Sequence, residues 1–289
     1  MRQLSLLEIQ RALDPGASDA ARVAAIAAGV IAELGEEPPV SLEVVASYRD
    51  IRVIRTEPDL PCAGSLTPEP RGLVIRLRAS DNPRRRRFSG FHEIGHTFQP
   101  GYREATSFRC EALGANRSRE ETEKLADVAS TELLLPRSFF EADARELPFR
   151  LESVIELADR YEASVEATAL RYVTLRPQPT LLVVLAPGLR KAERADPEAR
   201  PKLRVLYSAG AAISRHVPRN KSAAEGGPLH RAWLGELVNE TGSLADLSLG
   251  DQPLRVSAQP FSYLDPQGVL RERVLALYEP VASSRKRAG

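Results

Sequence analysis

Residues 92–96 are His-Glu-Ile-Gly-His, and the spacing of the two histidines determines how the surrounding sequence is interpreted. Residues four apart project from one face of an α-helix, so His92 and His96 can bind the same zinc ion. Glu93 is rotated by about 100° from His92 on such a helix, which places its carboxylate beside the metal rather than on it. Because zinc lowers the pKa of water that it binds to about 7, Glu93 is the candidate general base of a hydrolytic site.

The sequence around this motif predicts a packed helix. Asn82-Pro83 punctuates the chain, and the segment from Arg84 to Phe98 sets its phenylalanines on one side. Gly95 costs about 1 kcal/mol relative to alanine inside a helix, which predicts that another backbone packs closely there. The two histidines could have this spacing by chance on an exposed helix, but a buried motif without a metal would leave polar groups in need of partners.

A third metal ligand has to come from another part of the chain, because catalytic zinc sites use three protein ligands. Glu123 and Asp127 share one face of a helix that the sequence predicts from about Arg119 to Leu135. Glu123 could therefore reach the metal while Asp127 accepts an N–H from one of the histidines and fixes its tautomer. Three further carboxylates compete for the ligand role, and we expect each of them to be exposed to solvent: Glu120, Glu121 and Glu132.

Length and composition are typical of an ordinary soluble globular protein. The 289 residues are 43% hydrophobic and 27% charged, and a formal net charge of +1 gives no global attraction to nucleic acid or anionic membrane. Cys62 and Cys110 form no CxxC motif, so they predict neither a disulfide framework nor a thiolate zinc site. The N-terminus meets charge before any apolar run of signal-peptide length, and no apolar run of about 18 residues occurs, so we expect a cytoplasmic protein.

Hydrophobic periodicity predicts an α+β fold. In the first half we expect helices from Ala20 to Leu34, ended by Gly35, and from Ser41 to Tyr48, then strands from Ile51 to Arg55 and from Leu73 to Leu77. Glu57 to Arg71 is rich in Pro and Gly and is predicted to be a loop.

The second half predicts two short helices and then a strand-rich region. Leu151 to Tyr161 and Ser164 to Thr174 are helical patterns that resemble a helix-turn-helix. The later predictions are four strands, Leu181 to Leu185, Leu203 to Tyr207, Leu254 to Ala258 and Val274 to Tyr278, a helix around Arg231 to Val238, a mobile connector from His216 to Pro228 and a frayed tail from Ser283. We therefore predict domains at residues 1–146, 147–176 and 177–289.

Two stretches in the right order resemble the ImmA/IrrE metallopeptidases, a family of bacterial and phage zincin-like proteins. Arg84 to His96, Arg-Arg-Arg-Arg-Phe-Ser-Gly-Phe-His-Glu-Ile-Gly-His, is similar to the first family signature, and Glu123 to Pro136 is similar to the second. Gly90 and Val128 stand where larger residues are common in the family, a difference that concerns packing and not metal ligation.

The resemblance implies a zinc-dependent metalloendopeptidase of the gluzincin type. It assigns His92, His96 and Glu123 as metal ligands, Glu93 as the catalytic base and Asp127 as the partner behind a ligand. It implies site-specific cleavage of a helix-turn-helix (XRE-type) repressor, which would derepress stress-response or mobile-element genes. The last domain would be GAF-like and would bind a ligand or a partner. Two histidines and a carboxylate would also accept Mn²⁺ or Fe²⁺ in place of Zn²⁺.

The sequence leaves the substrate contacts of such a site open. The strand Leu73 to Leu77 could offer its edge to an extended peptide, or it could be an ordinary strand inside a sheet. Tyr102 and Arg103 follow the motif helix and are candidates for stabilising an oxyanion, although a purely structural role explains them as well.

Two rival functions are compatible with the same motifs. One is a DNA-binding regulator that uses the helix-turn-helix, but Leu151 to Arg176 holds three arginines against five carboxylates, a net charge of −2 that suits phosphates poorly. The basic run Arg84 to Arg87 makes only a small electrostatic site, so direct DNA binding is not expected. The other rival is a ligand sensor with a non-catalytic zincin domain. The presence of Glu93, the candidate base, argues against this rival.

Overall fold

The structure, a computed structural model, describes residues 4–103, 108–109, 117–210, 213, 217–265 and 267–281. The chain is mixed α/β and divides into two compact units, Met1–Ala142 with Ala158–Ser164, and Asp143–Leu157 with Val165–Gly289. The predicted domain boundaries at 146 and 176 stay predictions. Cys110, His216 and the tail from Ser283 lie outside the described residues.

Most helices begin and end where the sequence predicts. Six precede residue 147: α1 Leu6–Leu13, α2 Asp19–Leu34, α3 Leu42–Tyr48, α4 Pro83–His96, α5 Arg117–Leu134 and α6 Arg137–Glu146. The predicted stop of α2 is confirmed, because Gly35 has a left-handed φ of 63° and donates its N–H to Ile31 and Ala32. The predicted capping serine of α3 is also confirmed, since Ser41 accepts the N–H of Val44.

The first unit contains a four-stranded sheet with the order β1-β3-β2-β4. Its strands are β1 Ile51–Glu57, β2 Gly64–Glu69, β3 Gly72–Arg78 and β4 Phe108–Arg109. β1 and β3 run parallel, whereas β2 is antiparallel to both of its neighbours. The sheet places β2 against α4, the helix that carries the His-Glu-x-x-His motif.

One prediction about this sheet is wrong, and one of two alternatives that the sequence left open is excluded. Glu57 to Arg71 is not a continuous loop, because β2 lies inside it and pairs with β3. The paired residues include Pro68, which lies opposite Leu73. Proline is tolerated there because β4 pairs only with Ser65 and Leu66 among the described residues, so the ladder needs no N–H from Pro68. The strand Leu73 to Leu77 has no free edge for a peptide, since β3 is flanked by β1 and β2.

The second unit is built on a five-stranded antiparallel sheet with the order β6-β5-β9-β8-β7. Its elements are α8 Val165–Leu175, β5 Leu181–Gly188, β6 Lys202–Ala209, α9 Pro228–Trp233, β7 Val238–Gly242, β8 Leu254–Leu264 and β9 Leu270–Pro280, and α7 Leu151–Arg160 crosses the boundary between the units. One face of the sheet packs against α9 and a short turn of helix around Leu244 and Leu247.

The helix predicted from Arg231 to Val238 is partly wrong. α9 ends at Trp233, Gly235 has a φ of 103° that helical residues do not adopt, and Val238 begins β7. The glycine explains the early stop, because only a residue without a Cβ takes this conformation at low cost. None of the helices in the described ranges combines the length and the apolar character that crossing a bilayer requires.

Candidate metal centre

The motif helix α4 is built by local signals and then buried. Asn82 caps it by accepting the N–H of Arg85 at 2.9 Å, and Pro83 occupies the first turn, where no backbone donor is needed. Glu93 and His96 are 5% and 2% exposed, so both polar groups lie inside the first unit. Burial of this kind is costly for polar groups unless a partner or an ion satisfies them.

Gly95 lets α5 approach α4 closely, as the sequence predicts. A Cβ at this position would lie 2.8 Å from the Cβ of Ala129 and 3.0 Å from the carbonyl oxygen of Ala126. Gly90 makes a similar contact on another side of α4, where a Cβ would lie 2.6 Å from Leu42 of α3. The departure from the family pattern at Gly90 is therefore matched by a neighbour that fills the space.

The close approach brings three candidate ligands together. Nε2 of His92 lies 3.1 Å from Oε2 of Glu123, and Nε2 of His96 lies 3.8 Å from the same oxygen. One ligand atom from each of the three residues falls within 4.8 Å of the other two. The two rings, from consecutive turns of α4, have centroids 4.9 Å apart and an interplanar angle of 81°. This spacing fits donors that share one cation.

Asp127 lies behind His92 rather than His96. Its Oδ1 is 2.9 Å from Nδ1 of His92, and a carboxylate can only accept, so Nδ1 carries the proton. The opposite ring nitrogen, Nε2, faces Oε2 of Glu123 at 3.1 Å and is the atom that a metal ion could bind once its proton is displaced. The sequence left open which histidine Asp127 would contact, and the structure selects His92.

Glu93 faces the same region from α4 and is held by β2. It accepts a hydrogen bond from the backbone of Leu66, and a Cβ at Gly64 would lie 2.9 Å from its Oε1. The other oxygen, Oε2, is buried with no hydrogen-bond partner among the described residues. Burial raises the pKa of Glu93 to about 8. One oxygen is therefore anchored, and the other is free to take a proton.

The two histidines have opposite pKa shifts. Burial opposes protonation of His92, but its hydrogen bonds to Asp127 and Glu123 outweigh this and raise its pKa to about 10. Burial and then the charge of His92 lower the pKa of His96 to about 4. A divalent cation at Nε2 of His92 would displace the proton that Glu123 otherwise shares, because both use the same lone pair.

The residues present fit a metal ion of the zinc type. The donor set is two imidazole nitrogens and one carboxylate oxygen, which is a ligand set of catalytic zinc. The buried, unpartnered Oε2 of Glu93 is the second observation, because a carboxylate oxygen without a partner is otherwise costly. His92, His96 and Glu123 are therefore the residues that could hold a metal cofactor.

The competing carboxylates take other roles. Glu120 is exposed and pairs with Lys124 at 2.7 Å, and Glu121 is also exposed. The expectation that Glu132 is exposed is wrong: it is 6% exposed and accepts the N–H of Arg137 at 2.8 Å. Its carboxylate faces the start of α6, a helix that the sequence analysis did not predict, so the burial could not be anticipated.

The remaining polar candidates near the motif have structural contacts. Arg103 donates to Asp50 at 2.9 Å and to the Tyr102 hydroxyl at 3.0 Å. All four arginines of the run from Arg84 to Arg87 are engaged within the first unit, by acidic side chains, backbone carbonyls or both. These contacts explain the residues without invoking a ligand.

Sequence reasoning missed the contribution of β2. Gly64 and Leu66 position Glu93, yet both lie in the segment that was predicted to be a loop. A glycine at the start of a strand signals a close approach, but the prolines on either side concealed the strand.

Comparison with known proteins identifies a family for the part of the chain that contains these residues. The IrrE N-terminal-like domain, a peptidase-family domain, matches residues 46–172, which include α4 and α5. This part of the chain belongs to the ImmA/IrrE family.

The chain is also similar to individual members and structures. It is 28% identical over 148 residues to the radiation response metalloprotease IrrE of Deinococcus radiodurans, covering 50% of this chain and 45% of that protein. The chain thus spans about half the length of this curated relative. A Mycobacterium tuberculosis transcriptional regulator shares the fold, with a TM-score of 0.60, 16% identity, and coverage of 95% of this chain and 79% of that one.

Proposed function

We propose that this ImmA/IrrE chain is a zinc-dependent endopeptidase of the gluzincin type that cleaves a helix-turn-helix (XRE-type) repressor at a specific site. The observation that carries the proposal is the convergence of His92, His96 and Glu123 to within 4.8 Å. A general base in the right place supports it, since Glu93 lies on the same helix with one carboxylate oxygen unpartnered. Cleavage would derepress stress-response or mobile-element genes.

The residues of the chain divide the chemistry among them. Bound zinc would supply a Lewis acid that polarises the peptide carbonyl. His92, His96 and Glu123 would hold it, and Asp127 keeps the tautomer of His92 that leaves Nε2 available. Oε2 of Glu93 would accept a proton from the attacking water and pass it to the leaving amine. Burial makes Glu93 a stronger base than an exposed glutamate, because it raises the pKa of the carboxyl.

The other two predicted domains would serve regulation and partner choice. We propose that residues 147–176 are a helix-turn-helix segment used for protein docking, and that residues 177–289 are a GAF-like domain that senses a ligand or partner. Two short helices, α7 and α8, and the five-stranded antiparallel sheet with one face covered by α9 support this organisation.

A conservative substitution of the base tests catalysis. Glu93→Gln should retain zinc, measured by mass spectrometry of the metal, and should cleave a repressor encoded beside this gene at least about a hundredfold more slowly. Glu121→Gln is the matched control, because that side chain is exposed on α5, and it should cleave at the wild-type rate. Equal cleavage by Glu93→Gln and wild type would refute the proposed base and favour a non-catalytic sensor.

The ligand assignment has a separate test. His92→Ala and Glu123→Ala should each lower the bound zinc, because either change removes one of the three donors. An unchanged zinc content in Glu123→Ala would overturn the assignment of the third ligand, whatever the variant does to cleavage.

A further inference from the structure

The second unit contains a strongly basic cleft that the proposed peptidase function does not use. Its volume is about 570 Å³, and two segments of the chain form its walls, residues 189–194 after β5 and residues 218–221 before α9. Of the eight described residues that line it, none is acidic and five are cationic: Arg190, Lys191, Arg194, Arg219 and Lys221. The chain as a whole carries a formal net charge of only +1, so this cleft is a local concentration of positive charge.

A buried arginine holds the two walls together. Arg204 of β6 is 4% exposed and donates to the carbonyl oxygens of Gly188 at 3.0 Å and Asn220 at 3.2 Å. The same guanidinium donates to Ser222 Oγ at 2.8 Å and to both oxygens of Glu193, at 2.7 and 2.8 Å. Residues from both sides of the cleft therefore meet on one rigid group, which makes the cleft a built feature of the fold.

This arrangement leaves the cations of the cleft unneutralised. Glu193 is the acidic residue nearest in sequence, but its carboxylate is already bound by Arg204 and by the N–H of Arg190. No carboxylate in the described part of the chain forms an ion pair with Lys191, Arg194, Arg219 or Lys221. Like charges held together repel one another, and an anion in the cleft would relieve that repulsion.

The chemistry of the walls selects phosphate. Arginine presents a planar fork of donors that matches phosphate oxygens, and three of the five cations are arginines. None of the described residues that line the cleft is aromatic, so they offer no platform on which a base could stack. Because the cations lie on both walls, a polymer that carries several phosphates in a row can contact more of them than a single phosphate can.

We propose that this cleft binds the phosphodiester backbone of duplex DNA without reading its sequence. The helix-turn-helix segment is ill suited to that contact because of its net charge of −2. The cleft carries the positive charge that the helix-turn-helix segment lacks. The cleft shares no residue with the candidate metal centre, so DNA binding there does not depend on the peptidase function.

The test is binding of a labelled duplex to the full chain, followed by fluorescence anisotropy. Two duplexes of unrelated sequence should bind equally, and affinity should fall about a hundredfold between about 50 and 200 mM salt, as expected for about four phosphate contacts. No binding at about 50 mM salt, or a preference for one sequence, would overturn the proposal.

Paired variants locate the contact. Lys191→Gln with Arg219→Gln removes one exposed cation from each wall, and should weaken binding at least tenfold and lower the salt slope by about two. Arg71→Gln with Arg150→Gln removes the same charge from exposed positions outside the cleft and should bind like wild type. Equal losses in the two double variants would show that net charge, and not the cleft, attracts DNA.

Competition identifies the class of ligand. At equal charge concentration, unlabelled duplex of any sequence should displace the labelled DNA better than tripolyphosphate or polyglutamate does. If tripolyphosphate competes more strongly, the cleft is a site for small phosphates. If polyglutamate competes more strongly, the cleft is a site for acidic protein. Either result would overturn the proposal for nucleic acid.

Discussion

Replacement of Gly95 by alanine should disturb the metal centre more than the stability of the fold. The new Cβ would lie 2.8 Å from the Cβ of Ala129 and 3.1 Å from the Cα of Ala126. Carbon atoms in contact are normally about 3.5–4.0 Å apart, and none of these neighbours can rotate away, so α5 would have to move by about 0.5–1 Å. Metal–ligand distances tolerate only about 0.2 Å, so the displaced Glu123 would no longer complete the site.

The two effects of Gly95→Ala on stability partly cancel. Overpacking costs about 1–3 kcal/mol, whereas replacing glycine by alanine inside a helix contributes about 1 kcal/mol in the opposite direction. We therefore expect a net destabilisation of about 0–2 kcal/mol. The affinity for zinc should fall at least about tenfold, as it does when the groups supporting a ligand are lost.

Zinc competition with a chelator and thermal unfolding measure the two effects. Gly29→Ala is the matched control, because Gly29 lies inside α2 and a Cβ there meets nothing within 4 Å. That control should leave zinc binding unchanged and should stabilise the protein by about 1 kcal/mol. If Gly95→Ala binds zinc as tightly as wild type and gains the same stability as the control, the close approach of α5 does not position Glu123.

Three further predictions follow from the contacts already described. Asp127→Ala should weaken zinc binding by about 10–100-fold, since His92 loses the acceptor that orients it, and an unchanged dissociation constant would contradict this role. Zinc binding at about pH 8 should release about one proton, because the pKa of His92 is raised to about 10 in the protein without a metal. Calorimetry in buffers of different ionisation enthalpy would detect this proton release. A binding enthalpy that does not depend on the buffer would contradict the prediction. Tyr278→Phe should raise the free energy of unfolding by about 1 kcal/mol, because the hydroxyl is buried with no hydrogen-bond partner among the described residues; a lower thermal midpoint would show that the hydroxyl is satisfied.

Local sequence signals predicted the elements that carry the metal centre. Asn82 and Pro83 start α4, and the four-residue spacing of its histidines places both rings on one face. The helical pattern of α5 likewise placed Glu123 and Asp127 on one face. These predictions succeed because capping and periodicity act within a few residues, so no distant part of the chain is needed to establish them.

Predictions failed where a distant partner outweighs local preference. β2 lies in a Pro- and Gly-rich segment that becomes a strand only because β3 and β4 pair with it. Glu132, a charged residue expected in solvent, is buried because the start of α6 supplies an N–H to its carboxylate. Strand pairing and burial depend on contacts between segments far apart along the chain, which a local pattern does not contain.

The sequence by itself determined the residue types of the candidate metal centre: two histidines and a glutamate at helical spacing, with a pair of carboxylates on a second helix. Only the tertiary structure decided how these groups meet, because the approach of α5 to Gly95 brings Glu123 within 3.1 Å of His92 and Asp127 behind it. The structure also decided that β2 anchors Glu93, and that cations at residues 190–194 and 219–221 share one cleft. Residue types and their spacing are local properties, whereas distances between elements are set by the packing of the whole unit.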